Sequence, residues 1–191
     1  MISLPHKIEA QGFGCLIASV IMVCMYWRQK EPFLMWTIDD DFSGTNWKKI
    51  LTKGMNYIKS GGIPFNLINR FLSNLDFPLN ARLEYLADIS QLNKLLSFKI
   101  PPIILYDRYF LLRGIKQEPY HAVPIVDKTQ ETFTAVDPSL SPKFFNSLLI
   151  QDLVSAWAQT RNATIIISPK RIKLRREKKP STTLERWLLS K

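Results

Sequence analysis

The amino-acid sequence predicts an α+β fold in which N-terminal helices pack on a largely antiparallel sheet, and three observations predict it. A length of 191 residues with 46% hydrophobic content suits one domain with a substantial core. Apolar residues recur at helical spacing through most of the first hundred residues. The second half instead contains apolar, β-branched segments of strand length, and this segregation of helices from strands is typical of α+β folds.

The first predicted helix contains the apolar run from Leu16 to Met25, which follows the glycine-containing loop AQGFG. The run has the length of a signal-peptide core, but no small-residue cleavage site follows it, and a transmembrane helix needs about 20 residues. The sequence therefore favours a buried helix over a targeting or transmembrane segment. Cys15 stands where the loop ends and this helix begins.

Further helices are predicted over residues 46–60, 64–75 and 88–98, the last with Asp88 as its N-cap. Another is predicted at SLLIQDLVSAWAQ, with three apolar residues on one side, namely Leu149, Leu153 and Trp157. Strands are predicted at ARLEYL, IPPIILYD, HAVPIVDK, TFTAVDPS and ATIIISP. Pro124 lies inside HAVPIVDK and cannot donate to a strand ladder, so it predicts an edge or a bulge there.

The formal charge of +10 is concentrated near the C-terminus. Nine basic and two acidic residues lie in residues 169–191, so this segment carries seven of the ten net charges. We therefore predict a domain over residues 1–168 and a basic tail over residues 169–191, in which Thr182 and Glu185 indicate a short helix. Seven closely spaced cations make the tail a candidate contact for an acidic partner: Lys170, Arg171, Lys173, Arg175, Arg176, Lys178 and Lys179.

The two cysteines, Cys15 and Cys24, cannot form a disulfide if both lie on one helix. Nine helical residues separate them by about 13 Å and turn them to nearly opposite sides, whereas a disulfide needs Cα atoms within about 7 Å. Cysteine usage therefore predicts a reducing, cytoplasmic environment. The apolar surroundings of Cys24 predict that it is inert packing.

Two residues, His121 and Asp137, are predicted to meet at one end of a hairpin. His121 begins the first strand and Asp137 follows the second, and paired strands lie about 4.8 Å apart. An aspartate there holds the imidazole ring and stabilises the imidazolium. The alternative is that Asp137 is simply a turn residue before Pro138.

Cys15 is a candidate nucleophile. The N–H groups and the dipole of a helix N-terminus lower the pKa of a thiol, and a neighbouring imidazolium lowers it further. Gln11, just upstream, can donate its amide N–H to an oxyanion together with the backbone N–H of Cys15. The competing interpretations are a solvated loop residue for Gln11 and inert packing for Cys15.

The order glutamine, cysteine, histidine, aspartate resembles that of papain-like cysteine peptidases, above all the bacteriocin-processing branch that removes double-glycine leaders. That branch has small residues, a methionine and aromatic residues at set positions after its cysteine. Those positions are held here by Ala18, Ser19, Met22, Tyr26 and Trp27. HAVPIV and AVDP resemble the family's histidine strand and Asp-Pro pair, and SAWAQTRNATIIIS resembles its tryptophan-containing helix and final strand.

The resemblance implies a papain-like fold, no metal or cofactor, and peptide hydrolysis. Cys15 attacks a carbonyl, His121 acts as base and then as acid, and Asp137 orients His121. Gln11 helps to bind the oxyanion, although it lies closer to the cysteine than is usual in the family, and Leu16 replaces the usual glycine. A thioester or isopeptide substrate, or acyl transfer, would use the same residues.

The competing hypothesis is a catalytically silent, peptidase-like binding module whose basic tail contacts nucleic acid, anionic membrane or an acidic protein. It predicts that Cys15→Ser leaves the cellular function intact while deletion of residues 170–179 abolishes it. No basic patch interleaved with aromatic residues precedes the tail, so the sequence favours the peptidase.

Overall fold

An antiparallel sheet forms the centre of the fold. The computed structural model describes residues 1–4, 14–31, 65–75, 77–86, 88–116, 120–138 and 145–170. Their strands are β1 (Leu79–Tyr85), β2 (Ile103–Tyr106), β3 (His121–Lys128), β4 (Thr132–Val136), β5 (Phe145–Leu149) and β6 (Ala163–Pro169). These six described strands pair in the order β1-β6-β2-β3-β4-β5, and each pair is antiparallel.

Helices cover this sheet and confirm the predicted α+β class. Within the described residues they are α1 (Cys15–Lys30), α2 (Phe65–Asn74), α3 (Ile89–Ser97), α4 (Arg108–Arg113) and α5 (Ile150–Ala158). Helix α1 packs on β3 and β6, α2 on β1, α3 on β3, and α5 on β2 and β5. The helices predicted over residues 46–60 and in the tail lie outside the described residues, so the predicted domain boundary stays a prediction.

Helix α1 is the buried element on which the site depends. Every residue from Leu16 to Trp27 is buried, which confirms that the apolar run is a core helix. Near its C-terminal end, the Tyr26 hydroxyl donates to the carbonyl of Lys99 (2.6 Å) and the Trp27 indole donates to that of Ile167 (2.8 Å). A helix that is apolar all round is stable only when it is covered all round. Among the described helices, none is long and apolar enough to cross a membrane.

Aspartate N-caps begin two of the helices. The Asp88 carboxylate accepts a hydrogen bond from the N–H of Ser90 (2.7 Å), which confirms the predicted start of α3. Asp107 does the same for α4, a helix that the sequence analysis did not predict, by accepting from the N–H of Phe110 (2.9 Å). Gly114 ends α4 at a φ of +68°, a left-handed conformation that suits glycine.

The helix predicted at SLLIQDLVSAWAQ begins later than the sequence indicated. Its first residues belong to β5, which ends at Leu149, and α5 starts at Ile150. Leu153 and Trp157 are each 2% exposed as a buried face requires, but Leu149 is 47% exposed. Pairing of β5 with β4 satisfies the backbone of this segment and outweighs its local helical pattern.

The structure also shows how a proline fits inside β3. The strand is not an edge, but its pairing with β4 begins only at Ile125, opposite Ala135. The N–H of Ile125 donates to the carbonyl of Pro102 on the β2 side (2.9 Å). Successive residues of a strand direct their N–H groups to opposite sides, so the nitrogen of Pro124 faces the β4 side. At that position β3 and β4 are not paired, and no ladder hydrogen bond is lost. The predicted irregularity is present as a register shift between Ile125 and Asp127.

Candidate active site

Cys15 is the first residue of α1, as the sequence predicted. Gly14 is the N-cap residue and has no side chain to occupy the N–H groups of the first turn. The positive end of the helix dipole therefore acts on the Cys15 thiol. Cys15 is also only partly buried, whereas Leu16–Trp27, which follow it along the helix, are all buried.

His121 begins β3 and lies directly opposite Tyr106 of β2. The two rings make an edge-to-face contact, with centroids 5.6 Å apart and an interplanar angle of 82°. Both residues are buried, so Tyr106 limits the rotation of the imidazole ring and covers part of it from water. Tyr106 is not recognisable as a neighbour of His121 from the sequence, because their proximity depends on the register of β2 and β3.

Asp137 follows the end of β4 and is joined to His121. Its Oδ1 atom lies 2.9 Å from Nε2 of His121, and Asp137 is 1% exposed. The structure therefore brings these residues together as the hairpin argument predicted. A residue needed only for the turn before Pro138 would have no reason to place a buried carboxylate on an imidazole nitrogen.

The structure also brings Cys15 to this pair. A hydrogen bond and the charge of His121 lower the pKa of the Cys15 thiol, and Cys15 in turn raises the pKa of His121, so the two side chains are neighbours. Since Nε2 is engaged by Asp137, Nδ1 is the ring nitrogen left for the sulfur. Thiol, imidazole and carboxylate thus form a continuous hydrogen-bonded series, contributed by α1, β3 and the end of β4.

This arrangement changes the acidity of the Cys15 thiol. Burial alone would raise its pKa, but the hydrogen bond and the charge of His121, with backbone hydrogen bonds from Ala122 and Leu16, hold the pKa of Cys15 below its ordinary value. Burial likewise works to lower the pKa of His121. The hydrogen bonds and charges of Asp137 and Cys15 overcome it and raise the pKa of His121 to about 9. The lowered pKa of the thiol and the raised pKa of the imidazole both favour an ion pair of thiolate and imidazolium.

The two shifts stabilise the fold over a defined pH range. The raised pKa of His121 means that its stabilising contribution is complete below about pH 6.5, its ordinary pKa, and is lost as the pH rises through about 9. The lowered pKa of Cys15 acts in the opposite direction, because its contribution is lost as the pH falls through the lowered value. The ion pair exists between these limits.

The remaining candidate residues are Cys24, Gln11 and the cations of the basic tail. Cys24 is 1% exposed in the core, and burial raises the pKa of its thiol, as expected of inert packing. Cys15 and Cys24 are both free, as the spacing argument predicted. Gln11 and the tail from residue 171 onward lie outside the described residues. Within the described ranges no group of three His, Cys, Asp or Glu side chains is arranged so that it could hold a metal ion.

The fold is shared with a known class of peptidase. The chain is similar to the crystal structure of a candidate C39-like peptidase from Bacillus anthracis, with a TM-score of 0.58 and 14% sequence identity over 87% of this chain and 94% of that one. No family model and no curated protein matches the sequence. The likeness shows the papain-like, C39-like peptidase fold, as the sequence predicted, and does not extend to the bacteriocin-processing branch.

Proposed function

We propose that this protein is a cysteine peptidase in which Cys15 is the nucleophile, His121 carries the proton and Asp137 orients His121. The observation that carries the proposal is the buried 2.9 Å bond between Nε2 of His121 and Oδ1 of Asp137, beside a thiol whose pKa is lowered. A histidine that served only the core would need neither partner. Perturbed pKa values grouped in this way are typical of functional sites.

In the first half of the proposed reaction the Cys15 thiolate attacks the carbonyl carbon of a peptide bond. The carbonyl π electrons move to oxygen, which becomes an oxyanion, and a C–S bond forms. When the oxyanion collapses, the C–N bond breaks and Nδ1 of His121 gives its proton to the leaving amine. A thioester on Cys15 and a neutral His121 remain.

In the second half His121 acts as a base. It takes a proton from water, whose oxygen attacks the thioester carbon. Collapse of this second oxyanion breaks the C–S bond, releases the carboxylic acid and restores the thiolate beside the imidazolium. Asp137 keeps Nδ1 directed at the sulfur throughout, because its carboxylate holds Nε2.

The oxyanion is stabilised by the N-terminus of α1. The backbone N–H of Cys15 is a donor at the start of the helix, where the dipole favours negative charge. We propose the side-chain amide of Gln11 as a second donor, on the strength of its position just upstream. One oxyanion-hole donor is typically worth a factor of about 100 to 1,000 in kcat.

For the substrate we propose an extended peptide, with double-glycine leaders as the first class to test. The C39-like fold and the order of the site residues support the peptide. A shared fold does not specify a substrate, so the double-glycine preference rests on the sequence resemblance alone.

The test is cleavage of a proteome-derived peptide library that includes sequences containing Gly-Gly, read as new amino termini by mass spectrometry. We expect cleavage by the wild type, loss with Cys15→Ala, and no change with Cys24→Ala, which removes the other thiol of the same helix. An absence of termini that depend on Cys15 would contradict peptide hydrolysis. Transfer of an acyl group from Cys15 to added amines would instead indicate acyl-transfer chemistry by the same residues.

A further inference from the structure

Helix α1 meets β3 at a part of the strand that β4 leaves unpaired. Pairing between β3 and β4 begins at Ile125, so the residues before it have a free edge on that side. The backbone N–H and C=O groups of successive residues point to alternate sides of a strand. Ile125 directs its N–H towards β2. Ala122, three residues earlier, therefore directs its N–H and C=O towards the unpaired edge. Two buried polar groups of Ala122 therefore need partners, and none of the described strands supplies them.

Helix α1 supplies both partners from one of its faces. The sulfur of Cys15 is hydrogen-bonded to the backbone of Ala122. Ser19, one helical turn later, donates its hydroxyl to the carbonyl of Ala122 at 3.0 Å. Residues four apart lie one above the other on a helix, so the two side chains reach the two polar groups of a single residue. Ser19 is completely buried, so this bond is shielded from water.

We propose that Ser19 is a positioning residue, whose bond to Ala122 fixes the register of α1 on β3 and thereby the separation of the Cys15 sulfur from His121. This inference rests on the proposed function, since it concerns the same thiolate–imidazolium pair. Ala122 follows His121 directly in the chain, so a shift of Ser19 against Ala122 is transmitted to the distance between sulfur and imidazole. Misplacement by about 1 Å is enough to impair a reacting pair.

The other anchors of α1 cannot replace this bond. Tyr26 and Trp27 hold the helix through their bonds to Lys99 and Ile167. They lie about 16 Å along the helix from Cys15. A small tilt about that distant end moves the N-terminus of α1 the most. Ser19 is close enough to Cys15 to prevent such a tilt.

The experiment compares Ser19→Ala with Tyr26→Phe, each in a Cys24→Ala background, by the rate of Cys15 alkylation with iodoacetamide from pH 5 to pH 10. Both variants remove one hydroxyl that donates to a backbone carbonyl from α1. Alanine and phenylalanine both keep the helix, so both proteins are expected to fold. We expect Ser19→Ala to move the midpoint of the rate profile upward by about one pH unit, which is a loss of about tenfold in rate at pH values well below the midpoint. Tyr26→Phe should keep the profile of the parent.

A third variant separates the hydroxyl from the packing. Ser19→Thr keeps the donor and adds one methyl group, so its profile should follow the parent rather than Ser19→Ala. Coincidence of the Ser19→Ala and Tyr26→Phe profiles would overturn the positioning role, and so would a threonine profile like that of alanine. If the parent itself shows no reactive thiolate near pH 6, it is the proposed function that fails, and the two failures are thereby distinguishable.

Discussion

The two cysteines of α1 occupy opposite environments on one helix. Cys15, at the N-terminus, is partly exposed and hydrogen-bonded to His121, and its pKa is lowered. Cys24, in the interior of the helix, is surrounded by core residues and its pKa is raised by burial. Burial acts to raise the pKa of both thiols, so the difference between the two pKa values comes from the partners of Cys15 and not from the thiol itself. A cysteine becomes a nucleophile here only where the helix begins and a second element brings an imidazole to it.

The largest change in the reactivity of Cys15 relative to Cys24 should come from His121→Ala. Without the imidazolium, burial dominates the acidity of Cys15, and its environment comes to resemble that of Cys24. A free thiol with a pKa of about 8.5 is roughly 0.3% thiolate at pH 6, so the rate of Cys15 alkylation at pH 6 should fall on the order of 100-fold. Peptide mapping after timed alkylation measures this rate.

The control for His121→Ala is its near-ultraviolet circular dichroism spectrum, which should match that of the wild type if the variant is folded. Cys24 should remain unlabelled in the folded wild type and in the folded variant, because it is 1% exposed. Equal labelling of Cys15 in the two proteins at pH 6 would mean that His121 does not set its acidity.

A smaller effect is expected from Asp137→Asn, which keeps an oxygen acceptor and removes the charge. The pKa of His121 should fall from about 9 towards its ordinary value of about 6.5, because the Asp137 carboxylate supplies the largest single contribution that raises it. A less stable imidazolium lowers the pKa of Cys15 less, so alkylation of Cys15 at pH 6 should slow by about tenfold, a smaller loss than in His121→Ala.

The measurement is an NMR titration of the imidazole protons. The chain has only two histidines, so His6→Asn assigns the signals. A pKa of His121 that stays near 9 in Asp137→Asn would show that the carboxylate does not hold the imidazolium.

The smallest effect on reactivity should come from Cys24→Ala. Loss of a small buried apolar group should lower the free energy of unfolding by about 1 kcal/mol, because it leaves a small cavity in the core. Cys15 should be alkylated at the wild-type rate at every pH. Urea denaturation measures the first quantity, and a changed pH profile of Cys15 would show that the two thiols are coupled through α1.

Much of the fold was predictable because its local signals agree with its tertiary contacts. The apolar run of α1, the Asp88 cap of α3 and the β-branched strands all have the structure that their patterns predict. Strand β5 was not predictable, because its sequence has a helical pattern and the pairing with β4 overrides it. Helix α4 was missed although Asp107 and Gly114 mark its ends, because its six residues are too few for a clear periodicity.

The candidate site was predictable to the level of residue type and order. Hairpin geometry predicted that His121 and Asp137 meet, and the resemblance to a known family pointed to Cys15. The sequence predicted that these neighbours lower the pKa of Cys15, but the balance against burial was not predictable, since it depends on contacts between residues more than one hundred positions apart. Ser19 and Tyr106 were missed as neighbours of the site for the same reason, because each is brought there by the register of α1 or β2 against β3.

The most direct test of the central claim is the pH dependence of alkylation of both cysteines in the wild-type protein. Labelling of Cys15 and Cys24 with iodoacetamide is quantified in the same digest from pH 5 to pH 9. The account predicts a rapid reaction of Cys15 that persists well below the ordinary thiol pKa of about 8.5, with Cys24 unlabelled throughout. A Cys15 rate that rises only near pH 8.5 would contradict the thiolate–imidazolium pair and with it the proposed peptidase mechanism.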